Sequence, residues 1–165
     1  IKNLKLNKII KINIKNKKNL GSDRIANAIG AKKFKNCLII DFGTATTFDV
    51  IKNGTYEGGV IAPGVNLSIK NLSQATALLP LINLKTHQKT YGKNTIEALN
   101  AGFVWGYEGL INNIIYKIIS RSKIKYKILL TGGYANFFNK MIKKKVVIDQ
   151  DITIKGIANA YKELI

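Results

Sequence analysis

An apolar strand that leads into a polar turn and then into a second strand constrains the fold of this chain more than any other segment. Residues 37–42 are apolar except for Asp41, Gly43 and Thr44 follow, and residues 45–51 are largely β-branched or aromatic. This pattern predicts a β-hairpin with a carboxylate and hydroxyls at its tip. Glycine lets a ligand approach the backbone, and hydroxyls and free N–H groups suit phosphate oxygens. The segment therefore predicts a nucleotide-phosphate site, and an ordinary hairpin with a threonine-rich tip is the alternative.

A Walker-type phosphate loop does not explain the segment. In such a loop the glycines lead into a helix, whereas the residues after Gly43 predict a strand. A second partial match, Gly-Lys-Asn-Thr at residues 92–95, has His87 where the motif requires a glycine. We therefore expect phosphate contacts from a hairpin turn, and we expect His87, which lies in a polar stretch, to be solvated.

The rest of the chain alternates predicted helices and strands. Helices are predicted over residues 22–30, 65–77, 94–120, 134–142 and 154–164, and strands over 37–42, 46–52, 56–61, 127–131 and 146–148, with 8–14 as a weaker edge or terminal strand. Three antiparallel strands followed by alternating elements predict an α/β domain with a mixed five-stranded sheet and flanking helices. This order is close to the ribonuclease H-like (actin-like ATPase) arrangement.

The charge of the chain is strongly positive, but it does not by itself indicate a nucleic-acid partner. Lys and Arg total 27 against 9 Asp and Glu, which gives a formal net charge of +18. Arginine, which suits base and phosphate recognition better than lysine, occurs only at Arg24 and Arg121. Because the lysines are spread along the chain, we expect a solvated basic surface that attracts anionic substrates.

Length and composition fit one domain, alone or with part of another. The chain has 165 residues, of which 46% are hydrophobic, enough for a sizeable core. No run of eighteen apolar residues predicts a membrane helix, and the first residues lack the pattern of a signal peptide. The single cysteine, Cys37, excludes an internal disulfide framework, so a reducing cytoplasm is the expected compartment.

Four short motifs follow one another along the chain. They are Gly-Ser-Asp-Arg at 21–24, Asp-Phe-Gly-Thr-Ala-Thr-Thr at 41–47, Gly-Gly-Val-Ile-Ala-Pro-Gly at 58–64 and Thr-Gly-Gly-Tyr-Ala at 131–135. In this order and spacing they resemble the type III pantothenate kinases, a family of the acetate and sugar kinase, Hsp70 and actin superfamily. Residues 92–95 also match, at the place where the family has a substrate-contacting threonine.

The resemblance implies ATP-dependent phosphorylation of pantothenate to 4'-phosphopantothenate, the first step of coenzyme A biosynthesis, by a homodimer. It implies that Asp23 is the proton acceptor, since an aspartate beside the alcohol can orient it and take its proton. The implied pantothenate-binding residues are Gly21, Ser22, Asp23, Arg24 and Thr95. On the residues alone, Ser22 or Asp23 could instead cap a helix, Arg24 could form a surface salt bridge, and Asn94 could cap the helix that follows it.

The resemblance also implies where the nucleotide and the ions bind. The implied ATP-binding residues are Gly43, Thr44, Thr46, Gly132 and Gly133. Asp41 corresponds to the ligand of a monovalent cation, K⁺ or NH₄⁺, and Mg²⁺ is expected with the ATP phosphates. On the residues alone, the paired glycines equally fit a strand-to-helix turn.

The chain departs from the family's pattern at its front. The Asp-x-Gly-Asn-Thr motif of the family's other phosphate-binding loop does not occur. We interpret residues 1–34 as a remnant of an N-terminal domain with the Gly-Ser-Asp-Arg motif, and residues 35–165 as the C-terminal ribonuclease H-like domain. Kinase activity is therefore not expected from these 165 residues alone.

Two alternative functions stay open at this point. One is a non-catalytic accessory or regulatory protein of the same fold, of the transcriptional accessory factor type. The other is a kinase of the same superfamily that acts on a different small hydroxylated substrate.

Overall fold

A six-stranded mixed sheet with helices on both faces makes up the described part of the chain. The structure is a computed structural model and describes residues 9–86 and 90–163. The strands are β1 (Lys11–Ile12), β2 (Cys37–Phe42), β3 (Ala45–Lys52), β4 (Thr55–Pro63), β5 (Lys127–Gly132) and β6 (Val146–Ile148). The helices are α1 (Ser22–Gly30), α2 (Val65–Gln74), α3 (Thr95–Ile119), α4 (Ala135–Phe138) and α5 (Ile152–Lys162), and short 3₁₀ turns cover Lys17–Asn19 and Asn139–Met141.

The order of the strands confirms the predicted α/β class and its mixed sheet. In space the order is β1-β4-β3-β2-β5-β6. Strands β2, β3 and β4 form an antiparallel meander, and β5 pairs parallel to β2 and to β6. Within the described residues the sheet has one strand more than the predicted five, because β1 pairs with the edge of β4. This short strand lies inside the segment predicted as a weak edge strand.

Side chains that alternate along the strands build two separate layers of core. On one face Leu38, Ile40 and Phe48 pack with residues of α2, α3 and α4. On the other face Ile39 and Ile51 pack with residues of α1 and α5. Successive residues of a strand point to opposite faces, so a polar residue in the odd-numbered series of β2 or β3 lies on the α1 and α5 face. This parity decides which predicted site residues can meet.

Helices α1 and α5 cover the second face together although they lie far apart in sequence. Ile29 of α1 and Ile152 and Ala160 of α5 are buried in the same cluster. A hydrogen bond from Thr153 Oγ1 to Asn27 Oδ1, at 2.6 Å, joins the two helices across 126 positions of the chain. The division at residue 34 stays a prediction, and the structure shows that α1 belongs to the same packed layer as α5.

Two predicted helices are shorter than expected. The helix predicted over 65–77 ends at Gln74, where the Ser73 and Thr76 hydroxyls donate to the carbonyls of Leu79 and Leu72. Such hydroxyl bonds offer the backbone an alternative to the helix. The helix predicted over 134–142 is α4 followed by a 3₁₀ turn. His87 lies outside the described residues.

Within residues 9–86 and 90–163, none of the helices combines the length and the apolar character needed to cross a bilayer.

Candidate active site

A cavity of about 320 Å³ opens where β2 ends and α1 begins. Its walls are formed by Asp23, Asp41, Gly43, Thr44, Ala45, Thr47 and Leu67. These residues come from the first turn of α1, the β2–β3 hairpin and the first turn of α2. Four of the predicted site residues, Asp23, Asp41, Gly43 and Thr44, therefore lie together although two separate motifs carry them.

The carboxylate of Asp23 is exposed in this cavity. Helix α1 begins at Ser22, its N-cap is Gly21, and no side chain bonds to the cap. The alternative prediction that Ser22 or Asp23 is the N-cap is therefore wrong. Because Asp23 has no capping role, its carboxylate is available to a molecule that enters the cavity.

Asp41 is held from behind by a buried amide. Asn27 Nδ2 donates to Asp41 Oδ2 at 2.8 Å, and Asn27 is itself fully buried and accepts the bond from Thr153. Burial raises the pKa of Asp41, the bond from Asn27 opposes this, and the negative charge of Asp23 raises the pKa further. The two carboxylates are thus close enough to influence each other.

Gly132 brings the end of β5 against Asp41. It pairs with Phe42 in the parallel register and has a φ of +84°. A Cβ atom at this position would lie 2.7 Å from Asp41 Oδ1 and 2.7 Å from the backbone of Phe42. The next residue, Gly133, donates its N–H to the carbonyl of Phe42 at 3.1 Å. The two glycines therefore lie beside Asp41 and Phe42 at the end of β2, although neither lines the cavity, and their contact with ATP stays a prediction.

Arg24, next to Asp23 on the first turn of α1, forms an ion pair with Asp49. Its Nε and Nη2 both lie 2.7 Å from Asp49 Oδ1. Burial lowers the pKa of Arg24, but the hydrogen bond and the charge of Asp49 outweigh it, and the net shift is upwards. Burial raises the pKa of Asp49, which the bonds from Arg24 partly offset. The ion pair that the sequence suggested for Arg24 exists, but Asp49 is wholly buried.

Three functional candidates were not found from the sequence. Asp49, Asn27 and Tyr56 form the polar layer behind the cavity. The available signal was a charged residue inside the apolar strand Phe48-Asp49-Val50, because a buried carboxylate requires a partner. The identity of that partner depends on the packing of α1, which local patterns do not show.

Two predicted site residues lie elsewhere. Thr46 is fully buried and belongs to the even-numbered series of β3, so it faces the α2 and α3 layer. Its hydroxyl has no hydrogen-bond partner in the part of the chain that the structure describes. Thr95 lines a different cavity of about 350 Å³ beside Leu72 and Phe103. The structure confirms Asn94 as the N-cap before Thr95, since its side chain accepts from Glu97 N at 2.9 Å.

Comparison with known proteins agrees with the motifs. A type III pantothenate kinase from Pelagibacter ubique is 53% identical over 161 residues, which cover 97% of this chain and 64% of that protein. One from Persephonella marina is 39% identical over 155 residues, covering 92% of this chain and 61% of that protein. The chain thus spans less than two thirds of the length of these relatives.

Solved structures confirm the actin-like fold. A protein from Campylobacter jejuni described as a Baf family transcriptional activator superposes with a TM-score of 0.69 and 24% identity, over 94% of this chain and 69% of that one. The ethanolamine utilization protein EutJ from Carboxydothermus hydrogenoformans gives a TM-score of 0.54 with 18% identity, over 83% and 53%. At these identities the likeness concerns the fold alone.

The family itself follows from the sequence match. The family model for type III pantothenate kinase matches residues 1–117, a range that contains the hairpin, the first turn of α1 and the whole wall of the cavity. This chain therefore belongs to the type III pantothenate kinase family.

Proposed function

We propose that this chain carries the acceptor site and part of the ATP site of a kinase that phosphorylates pantothenate to 4'-phosphopantothenate in coenzyme A biosynthesis. The observation that carries the proposal is the cavity that joins Asp23 of α1 to Asp41, Gly43 and Thr44 of the hairpin. A proton acceptor and a phosphate-binding turn that line one cavity suit transfer between an alcohol and a nucleotide.

In this proposal Asp23 receives the proton of the primary hydroxyl of pantothenate. The alcohol oxygen forms the new bond to the γ-phosphorus, the bond to the β,γ-bridging oxygen breaks, and ADP leaves with that oxygen. Because the transition state of phosphoryl transfer is loose, orientation of the alcohol contributes more than early removal of its proton. The exposed carboxylate of Asp23 can provide both.

The hairpin turn is the proposed phosphate contact. Thr44 offers its backbone N–H and its hydroxyl at the wall of the cavity, which suit phosphate oxygens, whereas the Gly43 N–H already donates to the carbonyl of Ala45 at 3.1 Å. Asp41 fits a monovalent cation, because it supplies a hard oxygen ligand and Asn27 fixes its orientation through the other oxygen. Mg²⁺ bound to ATP would offset the negative charge of the phosphates.

We further propose that the protein acts as a homodimer in the cytoplasm. The location of Thr95 supports the dimer, because this predicted pantothenate contact lines a cavity separate from that of Asp23. A second copy could bring its Thr95 to the acceptor site. A mixture of a Thr95→Val copy and an Asp23→Asn copy should then recover part of the turnover that each variant lacks when it is alone.

The direct test is ADP release from ATP with Mg²⁺ and K⁺, with and without pantothenate. We expect pantothenate-dependent turnover from the complete reading frame that contains these 165 residues, and no appreciable turnover from the 165 residues alone. Turnover that ignores pantothenate but responds to another small alcohol would contradict the substrate. Robust pantothenate-dependent ADP formation by the 165 residues would contradict the need for a further segment.

The accessory-protein alternative predicts a different result. Its support is the fold likeness to the Campylobacter jejuni protein, together with the positive charge of the chain. If it were correct, the folded protein would bind duplex DNA with an affinity that falls steeply with salt and would show no pantothenate-dependent turnover.

Removal of the Asn27 amide is expected to make cation activation more sensitive to acid. The pKa of Asp41 is already raised above its ordinary 3.8, and the bond from Asn27 restrains that rise. In Asn27→Leu the pKa should rise further, so that K⁺ activation is lost at a higher pH as the solution is acidified. Thr153→Val is the matched control, because it removes the bond to Asn27 but leaves the donor to Asp41.

The measurement is the K⁺ dependence of turnover across the acid range, with thermal unfolding of each variant recorded alongside. The raised pKa of Asp41 acts differently on folding stability, which it favours at acid pH. A carboxyl whose pKa is higher in the folded state contributes stability below its unfolded pKa, and this contribution is lost as the pH rises through the folded value. If Asn27→Leu loses K⁺ activation at the same pH as the unsubstituted protein, Asn27 does not lower the pKa of Asp41.

A further inference from the structure

We propose that Asp49 is a positioning residue that fixes the guanidinium of Arg24 beside the acceptor site, so that Arg24 meets pantothenate in one orientation. The inference rests on the proposed function and extends it to a residue outside the cavity. It depends on three observations, namely the geometry of the ion pair, the walls around Arg24 and the link from Asp49 to the cavity.

The ion pair converges on a single oxygen atom. Asp49 Oδ1 accepts from Arg24 Nε and lies equally close, at 2.7 Å, to Arg24 Nη2. The hydroxyl of Tyr56 donates to the same oxygen at 2.8 Å. Charge-assisted bonds of this kind are short and directional, so the plane and the position of the guanidinium are both set by Asp49.

The remaining walls leave the Arg24 side chain little freedom. Its guanidinium carbon lies 6.0 Å from the centre of the Tyr56 ring. On the strand, a Cβ atom at Gly59 would lie 2.6 Å from Arg24 Nη2 and closer still to the carbonyl oxygen of Phe48, so the guanidinium lies against β4 at a position where no side chain fits. The side chain of Arg24 keeps 13% of its exposure, whereas that of Asp49 keeps none. Arg24 is therefore the member of the pair that can still contact a ligand.

Asp49 is linked to the cavity through Thr47. Thr47 lines the cavity, and its hydroxyl lies 3.4 Å from Asp49 Oδ2. Arg24 is the neighbour of Asp23 on the first turn of α1, so the ion pair ties the acceptor turn to the sheet. Buried ion pairs are often no more stabilising than apolar pairs of the same size. Stability alone therefore does not explain why a buried ion pair is present here, whereas a positioning role does.

The test is Asp49→Asn in the complete reading frame, with KM and kcat measured separately for pantothenate and ATP. We expect kcat/KM for pantothenate to fall about tenfold or more, chiefly through KM, because a charge-assisted bond is lost. KM for ATP should change less than about twofold. Glu163→Gln is the matched control, since it removes one carboxylate charge from the exposed pair with Lys32 beyond the far end of α1. It should leave all constants unchanged.

A double-mutant cycle separates positioning from general support of the fold. If Asp49 acts through Arg24, the effect of Asp49→Asn on KM for pantothenate should largely disappear when Arg24 is already glutamine. An equal loss in both backgrounds would overturn the inference. Should Asp49→Asn fail to fold, Tyr56→Phe removes one donor to the same oxygen and keeps the ring, and a rise of about two- to fivefold in KM for pantothenate is expected.

The outcomes distinguish this inference from the function on which it rests. No pantothenate-dependent turnover in the unsubstituted protein would overturn the proposed function and the inference with it. Normal turnover in that protein, with an unchanged KM for pantothenate in both Asp49→Asn and Tyr56→Phe, would overturn the inference alone.

Discussion

Asp23→Asn is expected to lower pantothenate-dependent turnover by about 100-fold or more, because a positioned general base contributes on the order of 10² to 10⁴. Asparagine keeps the size of the side chain but cannot accept the proton of the alcohol. The thermal unfolding midpoint should stay the same, since Asp23 is exposed and makes no capping bond to α1. The measurement is steady-state ADP release with pantothenate varied, together with a thermal melt.

A second exposed aspartate provides the matched control. Asp151 lies immediately before α5, much as Asp23 lies in the first turn of α1. Like Asp23, Asp151 makes no side-chain capping bond. Asp151→Asn removes the same charge from a helix start that does not line the cavity, and turnover should not change. Asp23→Asn with normal turnover, or with a lowered midpoint that accounts for the loss, would contradict the proposed base.

Gly132→Ala is expected to lower the free energy of unfolding by about 2–5 kcal/mol and to abolish turnover. The φ of +84° is unfavourable for alanine, which costs about 1–2 kcal/mol. The new methyl group would also meet Asp41 Oδ1 and the Phe42 backbone at 2.7 Å, and overpacking of this kind costs about 1–3 kcal/mol. Because the contact displaces the Asp41 carboxylate, K⁺ activation should be lost even in the fraction that folds.

The neighbouring glycine is the matched control, and the measurement is urea unfolding of both variants. A Cβ atom at Gly133 would meet nothing within 4 Å. Gly133→Ala should therefore leave the free energy of unfolding within about 1 kcal/mol of the unsubstituted value. Equal destabilisation by the two substitutions would show that the contact of Gly132 with Asp41 is not the cause.

Much of the fold was predictable because the residue types of each segment and the alternation of side chains along the strands indicate the same elements. The hairpin around Gly43 and the strand that ends at Gly132 follow from β-branched runs and glycine positions. The sixth strand, β1, was predicted only as a weak edge or terminal strand within residues 8–14, because it has two residues and depends on pairing with β4. A strand this short carries too little periodicity to fix its bounds or to count it in the sheet.

Of the candidate site, only residues that line the cavity could be predicted from the sequence, and the polar residues behind them could not. Asp23, Asp41 and Thr44 stand out because carboxylates and hydroxyls follow apolar or glycine-containing segments. Asn27 and Asp49 depend instead on how α1 lies across the sheet, which is a tertiary property. Thr46 shows the converse, because the motif assigns its hydroxyl to ATP, whereas the alternation of β3 places it on the opposite face, where it is buried; its contact with ATP stays a prediction.

The bond between Thr153 and Asn27 has a consequence for synthesis of the protein. The two residues are 126 positions apart, so at about 5–20 residues per second roughly 6 to 25 seconds separate their translation. During that interval α5 does not cover the apolar side of α1. Asn27, which donates to Asp41, also lacks its bond from Thr153. The apolar side of α1 is thus exposed to aggregation until α5 has been made and packs against it.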